Sequence, residues 1–245
     1  MAELLLHVDN LSKRFGGFVA LDGINLSVQA GERVGLIGPN GSGKSTLVNC
    51  MCGTLRNETG TVRFDGRIVD GLAANQRTHR GMARSFQLPR PFHTLSVAEN
   101  LRIPLLFTAH SRSGRHLTRE ETESRCHELA GLVGLAAKAN KLPRDLTQVE
   151  MRKLELARAM AADPKLLIAD EAMAGLSQSE VTDIVDLLIK LNERGVTIIL
   201  IEHIMRAVMS FSQRLVVLVS GKKIADGPPD EVVSHPEVIG AYLGQ

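Results

Sequence analysis

Residues 38–46 read GPNGSGKST, which fits the pattern G-x-x-x-x-G-K-[ST]. Gly38, Gly41 and Gly43 allow the backbone to curl until successive amide hydrogens point inward, and a helix starting just after them adds its positive end. Such a concavity binds phosphate. Gly38, Asn40, Gly41, Ser42, Gly43, Lys44, Ser45 and Thr46 are therefore the candidate binding residues. Lys44 is placed to reach the outer phosphates of a triphosphate, the Ser45 hydroxyl to ligate Mg²⁺, and Thr46 to lie beside the innermost phosphate. A second cluster, LLIADE at 166–171, is an apolar strand with two adjacent carboxylates at its C-terminal end, where parallel sheets place ligands. Asp170 would support the metal, directly or through a water, and Glu171 would polarise an attacking water as general base. The combined chemistry is hydrolysis of a nucleoside triphosphate.

The elements around these clusters must hold them face to face. Short β-like runs at 4–8, 24–28 and 33–37 are separated by turn residues such as Gly16-Gly17 and Gly31, and a further run at 61–64 ends in the turn signal Asp65-Gly66. The run at 33–37 leads into the glycine loop, and a helix follows as far as Gly53. Residues 88–162 carry helical patterning with no convincing strand. Within them Thr118 and Glu121 form a capping box, followed by Cys126, Leu129, Ala130 and Val133 at helical spacing. The polar, basic stretch 111–116 reads as an exposed loop. After residue 165 the order is strand (166–169), helix (capped by Ser177 with Glu180 and ended by Gly195), strand (196–201) and strand (215–219). The tail, 221–245, reads as a closing hairpin and a short helix. The expected fold is α/β: a P-loop NTPase core with a parallel central sheet, an antiparallel β subdomain and an inserted helical subdomain. One domain spans 1–245, with 1–87 and 163–245 as the core and 88–162 as the insertion.

Composition limits the alternatives. The 245 residues are 44% hydrophobic, enough for a full core and against disorder. The longest apolar runs are strand-sized, far short of the roughly 20 residues a membrane-spanning helix needs. The N-terminus MAELLLHVDN lacks a basic n-region and an apolar stretch of secretory length, so the expected location is cytoplasmic. Three irregularly spaced cysteines, Cys50, Cys52 and Cys126, form neither a disulfide framework nor a zinc set. The net charge of +2 is spread along the chain, and no nucleic-acid-sized patch stands out. No internal repeat is present.

Three further elements, in the order they occur, make the whole chain resemble an ATP-binding cassette (ABC) ATPase. Gln87, in RSFQ, resembles the family's Q-loop glutamine, which implies contact with Mg²⁺ and the attacking water. His203, in IEH, resembles the switch histidine at the γ-phosphate. Phe15, in KRFG, resembles the aromatic that stacks on adenine. The resemblance implies the cofactors ATP and Mg²⁺, with Ser45, Gln87 and Asp170 around the metal and Glu171, His203 and Gln87 in catalysis. It also implies a head-to-tail dimer in which Thr147, Gln148 and Val149 reach the nucleotide of the opposing subunit. Here the chain departs from the family pattern: LTQVE at 146–150 stands where L-S-G-G-Q is usual, just before an expected helix 152–162. Ala172 stands where proline is common, and Ser177 where aspartate is usual.

MAGL after the acid pair, RSFQLPRPFHTLSVAENL, IEHIMRAVMSF and GAYLG narrow the resemblance to the ATP-binding subunits of branched-chain amino acid importers. That implies a second ABC ATPase subunit as partner, two different subunits pairing in such importers and two copies of this chain being the alternative. It also implies two permease subunits and, indirectly, a periplasmic solute-binding protein, with the chain peripheral at the cytoplasmic face of the inner membrane. The residues after Gln87, namely Leu88, Arg90, Pro91 and Phe92, are the candidate permease-facing set. A soluble ABC ATPase acting on nucleic acid, and a regulatory module that binds ATP with weak turnover, remain alternatives on sequence grounds.

Overall fold

The structure, a computed structural model, describes residues 3–109 and 117–243; the predicted loop 111–116 and the last residues of the tail lie outside them. Ten strands occur among the described residues: β1 (Leu4–Phe15), β2 (Phe18–Gln29), β3 (Arg33–Ile37), β4 (Thr59–Phe64), β5 (Arg67–Ile68), β6 (Met82–Ser85), β7 (Leu166–Asp170), β8 (Thr197–Ile201), β9 (Arg214–Val219) and β10 (Lys222–Gly227). They form two sheets. The smaller, ordered β2-β1-β4-β5, is antiparallel throughout. The larger, ordered β10-β9-β3-β8-β7-β6, is parallel except for its edge hairpin of β9 with β10.

The sequences explain the difference. β7 and β8 are buried at every position and read LLIAD and TIILI, continuous apolar runs suited to a sheet covered on both faces. The antiparallel sheet is built from tight turns. Gly16 and Gly17 join β1 to β2, and Asp65 (φ 51°) and Gly66 (φ 71°) join β4 to β5 with both residues left-handed, as a primed hairpin turn requires. Leu47, Val48 and Met51 of the helix Lys44–Cys52 are fully buried between the two sheets. Burying each such side chain contributes roughly 1.5–3 kcal/mol.

Residues 88–162 contain helices and turns and no strand among the described residues. The helices Val97–Pro104, Arg119–Leu132 and Gln148–Ala161 begin at capping boxes of Ser96 with Glu99, Thr118 with Glu121, and Thr147 with Glu150. Their apolar faces, including Leu101, Leu129 and Leu156, join a core cluster with Ile184, Leu188 and Phe211. The three cysteines are free and buried. No described helix is long and apolar enough to cross a membrane.

The structure corrects several sequence expectations. The helix expected at 152–162 begins four residues earlier, at Gln148, because Thr147 supplies its N-cap. A helix, Met205–Phe211, separates β8 from β9, where consecutive strands were expected. Both strands run parallel to β3, so the chain must cross back between them. The tail carries β10 and two short helices, Pro229–Val233 and Pro236–Leu243, instead of one. Strand β6 and the helix Ala74–His79 had no sequence signal, being short and polar (MARS and ANQRTH).

That unforeseen helix contributes one fold-level interaction. Arg77, 2% exposed, donates to the carbonyls of Cys50 and Met51 (both 2.7 Å), Leu72 (3.1 Å) and Asp70 (3.2 Å). It thereby caps the C-terminal end of the helix that follows the glycine loop, where carbonyls lack helical partners. Arg77→Met leaves these acceptors buried without donors, so the expected loss is about 3 kcal/mol. Thermal unfolding should show a melting point lower by roughly 6–12 °C; an unchanged melting point would contradict the capping role.

Candidate functional site

The glycine loop connects the C-terminal end of β3 to the helix Lys44–Cys52. Gly38 (φ 150°), Gly41 (φ 77°) and Gly43 (φ 102°) all have backbone angles that side chains rarely adopt. Two of them are also enclosed. A Cβ on Gly38 would lie 2.1 Å from the Leu218 carbonyl oxygen, and one on Gly43 would lie 2.8 Å from the Ala20 oxygen. Gly41 faces open space. The Ser42 carbonyl accepts from the Gly221 amide (3.0 Å), so the β9–β10 turn braces the loop from behind.

No side chain caps the N-terminus of the following helix. Its first amides are left for an outside acceptor. Lys44 is buried, and its Nζ donates to the carbonyls of Gly38 (2.6 Å) and Pro39 (3.0 Å). Burial lowers the Lys44 pKa, opposed by the nearby carboxylates of Glu171 and Asp170. Asn40 and Ser45 are exposed and Thr46 is half-buried. The Ser42 hydroxyl is buried and has no hydrogen-bond partner.

Opposite the loop, β7 ends in the two acids. Asp170 is 6% exposed and accepts from Arg84 Nη2 (2.5 Å), while Arg84 Nη1 donates to Asn49 Oδ1 (2.7 Å) on the loop's own helix. Glu171 follows with φ 47°, a strained angle for a side-chain residue, and its amide donates to the Ile201 carbonyl (2.9 Å). The turn sends its carboxylate between two predicted residues. Oε2 accepts from Gln87 Nε2, and Oε1 lies 2.9 Å from His203 Nε2. The structure thus brings Gln87, Glu171 and His203 into direct contact, with Lys44 close enough to feel both carboxylates.

The remaining candidates lie apart from this cluster. Phe15 sits at the β1–β2 turn, 50% exposed, with Lys13 Nζ 5.4 Å from its ring centre. Thr147, Gln148 and Val149 form the start of the helix Gln148–Ala161, and no hydrogen bond links them to residues 38–46 among the described residues. Thr147 Oγ1 accepts from the Glu150 amide (3.3 Å), and Glu150 Oε2 accepts from the Thr147 amide and from Lys138 Nζ (both 2.8 Å). The hydrogen bond from Lys138 is the main cause that lowers the Glu150 pKa.

Two residues escaped sequence reasoning. Arg84 was visible only as part of RSFQ; its role depends on β6 lying beside β7, where Arg84 pairs with Ile168, two residues before Asp170. Glu202 is 3% exposed, and the amides of Met173 (2.7 Å) and His203 (3.3 Å) donate to its two oxygens. Burial raises its carboxyl above the ordinary value, against these hydrogen bonds. The signal, an acid ending the apolar run TIILI, was present but overshadowed by the histidine after it.

The glycine loop ahead of an uncapped helix, the strand-end acid pair with a glutamine and a histidine around one carboxylate, and the helical stretch between β6 and β7 have the layout of an ABC-type ATPase cassette. Comparison with known proteins agrees: the ABC transporter family model matches residues 21–174, and the model for branched-chain amino acid ATP-binding cassette transporters matches residues 222–245. The chain belongs to the ABC transporter family and is its ATP-binding, ATP-hydrolysing component. It is 38% identical over 255 residues to the high-affinity branched-chain amino acid transport ATP-binding protein BraF of Pseudomonas aeruginosa, covering 100% of both. It is 36% identical over 258 residues to LivG of Escherichia coli K12, again covering 100% of both. The crystal structure of the ADP conformation of MJ1267, an ATP-binding cassette of an ABC transporter, superimposes with a TM-score of 0.89 at 31% identity, covering 99% of each chain.

Proposed function

We propose that the chain is the ATPase subunit of an importer for branched-chain or other amino acids. Its partners are a second, different ABC ATPase subunit and two permease subunits at the cytoplasmic face of the inner membrane, served by a periplasmic solute-binding protein. The solute class follows from BraF and LivG, branched-chain amino acid transport ATP-binding proteins that the chain matches along their full length. One observation carries the catalytic part: Glu171 is fixed by a left-handed turn between Gln87 and His203, facing the buried Lys44.

In this reading residues 38–46 hold the triphosphate through the loop amides. Lys44 exchanges its bonds to the Gly38 and Pro39 carbonyls for bonds to phosphate. Phe15 stacks on adenine. Glu171 polarises the attacking water, Gln87 orients it and His203 contacts the γ-phosphate. The donor set suits Mg²⁺ that arrives with the nucleotide: an exposed Ser45 hydroxyl, the Gln87 amide oxygen, and Asp170 with one oxygen committed to Arg84. So few protein ligands are typical of magnesium bound largely by substrate phosphates and water, and the ion would neutralise charge developing on the phosphates. Across a head-to-tail dimer Thr147, Gln148 and Val149 face the partner's nucleotide, offering the helix-terminal amides of Gln148 and Val149 that no intrahelical bond uses. Residues 88–162 act as the subdomain that carries this turn.

The permease-facing surface is the patch after Gln87. Leu88 is 70% exposed and Phe92 is 42% exposed; the Arg158 guanidinium lies 5.2 Å from the Phe92 ring centre. Two exposed apolar side chains on one short segment suit a protein partner; Arg90 is exposed with them, whereas Pro91 is buried and drops out of the expected set. Phe92→Ala should leave ATP binding intact and reduce solute uptake per ATP hydrolysed in reconstituted transporter; unchanged coupling rules the surface out. For the chemistry, Glu171→Gln should lower steady-state hydrolysis by about 10²–10⁴-fold while ATP stays bound. Hydrolysis at the normal rate in that variant would refute the reading.

A further inference from the structure

Glu202 is a carboxyl group in a place where burial disfavours charge. It stands at the end of β8, 3% exposed, and its two oxygens accept from amides on different segments: Met173, in the turn after Glu171, and His203, in the following loop. A neutral side chain could fill this space without the desolvation cost of a buried carboxylate. What it could not do is set a separate acceptor oxygen, with no competing donor, against each of the two backbone N–H groups.

The same turn is held from its other side. Arg152, 6% exposed, donates from Nη2 to the Ala174 carbonyl (3.2 Å), and its Nε and Nη1 atoms have no hydrogen-bond partner. Of the carboxylates acting on it, Glu202 has the largest effect, ahead of Glu155. One residue further on, a Cβ on Gly175 would lie 2.8 Å from Gln148 Nε2. Met173, Ala174 and Gly175 are thus gripped between Glu202 on the strand side and Arg152 with Gln148 on the helix that starts beside Thr147.

The geometry points to a role in hydrolysis: we propose that Glu202 is a positioning residue whose carboxylate ties the turn after Glu171 to the His203 loop. Arg152 extends that tie to the helix Gln148–Ala161. This rests on the reading of Glu171 as the residue that polarises water. Glu171 lies two residues before Met173, and its Oε1 meets His203 Nε2 at 2.9 Å. If the two segments shift independently, that contact is lost, and misplacement of about 1 Å can cost 10²-fold in rate. The tie also gives the surface that faces the opposing subunit a packed connection to the catalytic carboxylate.

Glu202→Gln tests this at nearly constant volume. The amide keeps one acceptor but sets an NH₂ group against one of the two backbone N–H donors. In the assembled transporter, kcat for ATP hydrolysis should fall about 10-fold or more, with the KM for MgATP within about twofold, because the glycine loop is untouched. Arg152→Met should lower kcat in the same direction. A merely structural role would lower the melting point and leave both constants unchanged per folded molecule. Normal kcat in Glu202→Gln overturns the proposal, and should that variant not fold, normal kcat in Arg152→Met overturns it on the same readout. Glu171→Gln run in parallel separates the two ideas. If it still hydrolyses ATP, the reading of Glu171 is wrong; if it does not while Glu202→Gln turns over normally, only the present proposal falls.

Discussion

Between Gly38 and the carbonyl of Leu218 there is no room for a carbon atom. A Cβ at residue 38 would come within 2.1 Å of that oxygen and 2.7 Å of Ser42 Oγ. Strand β9 is thus pressed against the glycine loop, and the Gly221 amide fastens the loop's other side through the Ser42 carbonyl. Held this tightly, the loop keeps one backbone shape. Binding then spends little free energy on ordering the backbone. The parallel sheet, the hairpin of β9 with β10 and the buried face of the helix Lys44–Cys52 all serve to keep that geometry.

The opposing charges are arranged by the same sheet. Adjacent parallel strands β6 and β7 bring Arg84 to Asp170, and β7 and β8 bring Glu171 to within reach of His203. Lys44 is buried where both carboxylates act on it. A site of this kind favours a ligand that brings phosphate to the lysine, because a phosphate partners a charge that burial makes costly. Glu171 shares its left-handed backbone with Asn10, Asp65, Asp163 and Ser220 among the described residues, and its side chain is the one that this turn sets between Gln87 and His203.

Much of this was legible in the sequence, for identifiable reasons. The loop at 38–46 was readable because its backbone angles demand glycine at fixed spacing, and the strand leading to 170–171 because a fully buried strand is a continuous apolar run. The capping boxes at Thr118 and Ser177 were readable because they are local. Strand β6 and Arg84 were not, since MARS becomes a strand only through its pairing with β7. Arg77 and the helix that carries it were missed for the same reason: nothing in ANQRTH announces that a guanidinium will satisfy carbonyls some 26 residues earlier in the chain. The helix Met205–Phe211 was hidden by its shortness, although the parallel direction of β8 and β9 makes a crossover obligatory.

The central claim is that a preformed, sterically closed backbone cradle grips the nucleotide, and a paired measurement addresses it directly. Equilibrium MgATP binding would be compared for Gly38→Ala, where a Cβ collides with the Leu218 carbonyl, and Gly41→Ala, where a Cβ meets nothing within 4 Å and only the left-handed angle is strained. The account predicts no detectable binding for the first at concentrations that saturate the unaltered protein, and measurable though weaker binding for the second. Equal affinity in the two variants would contradict it.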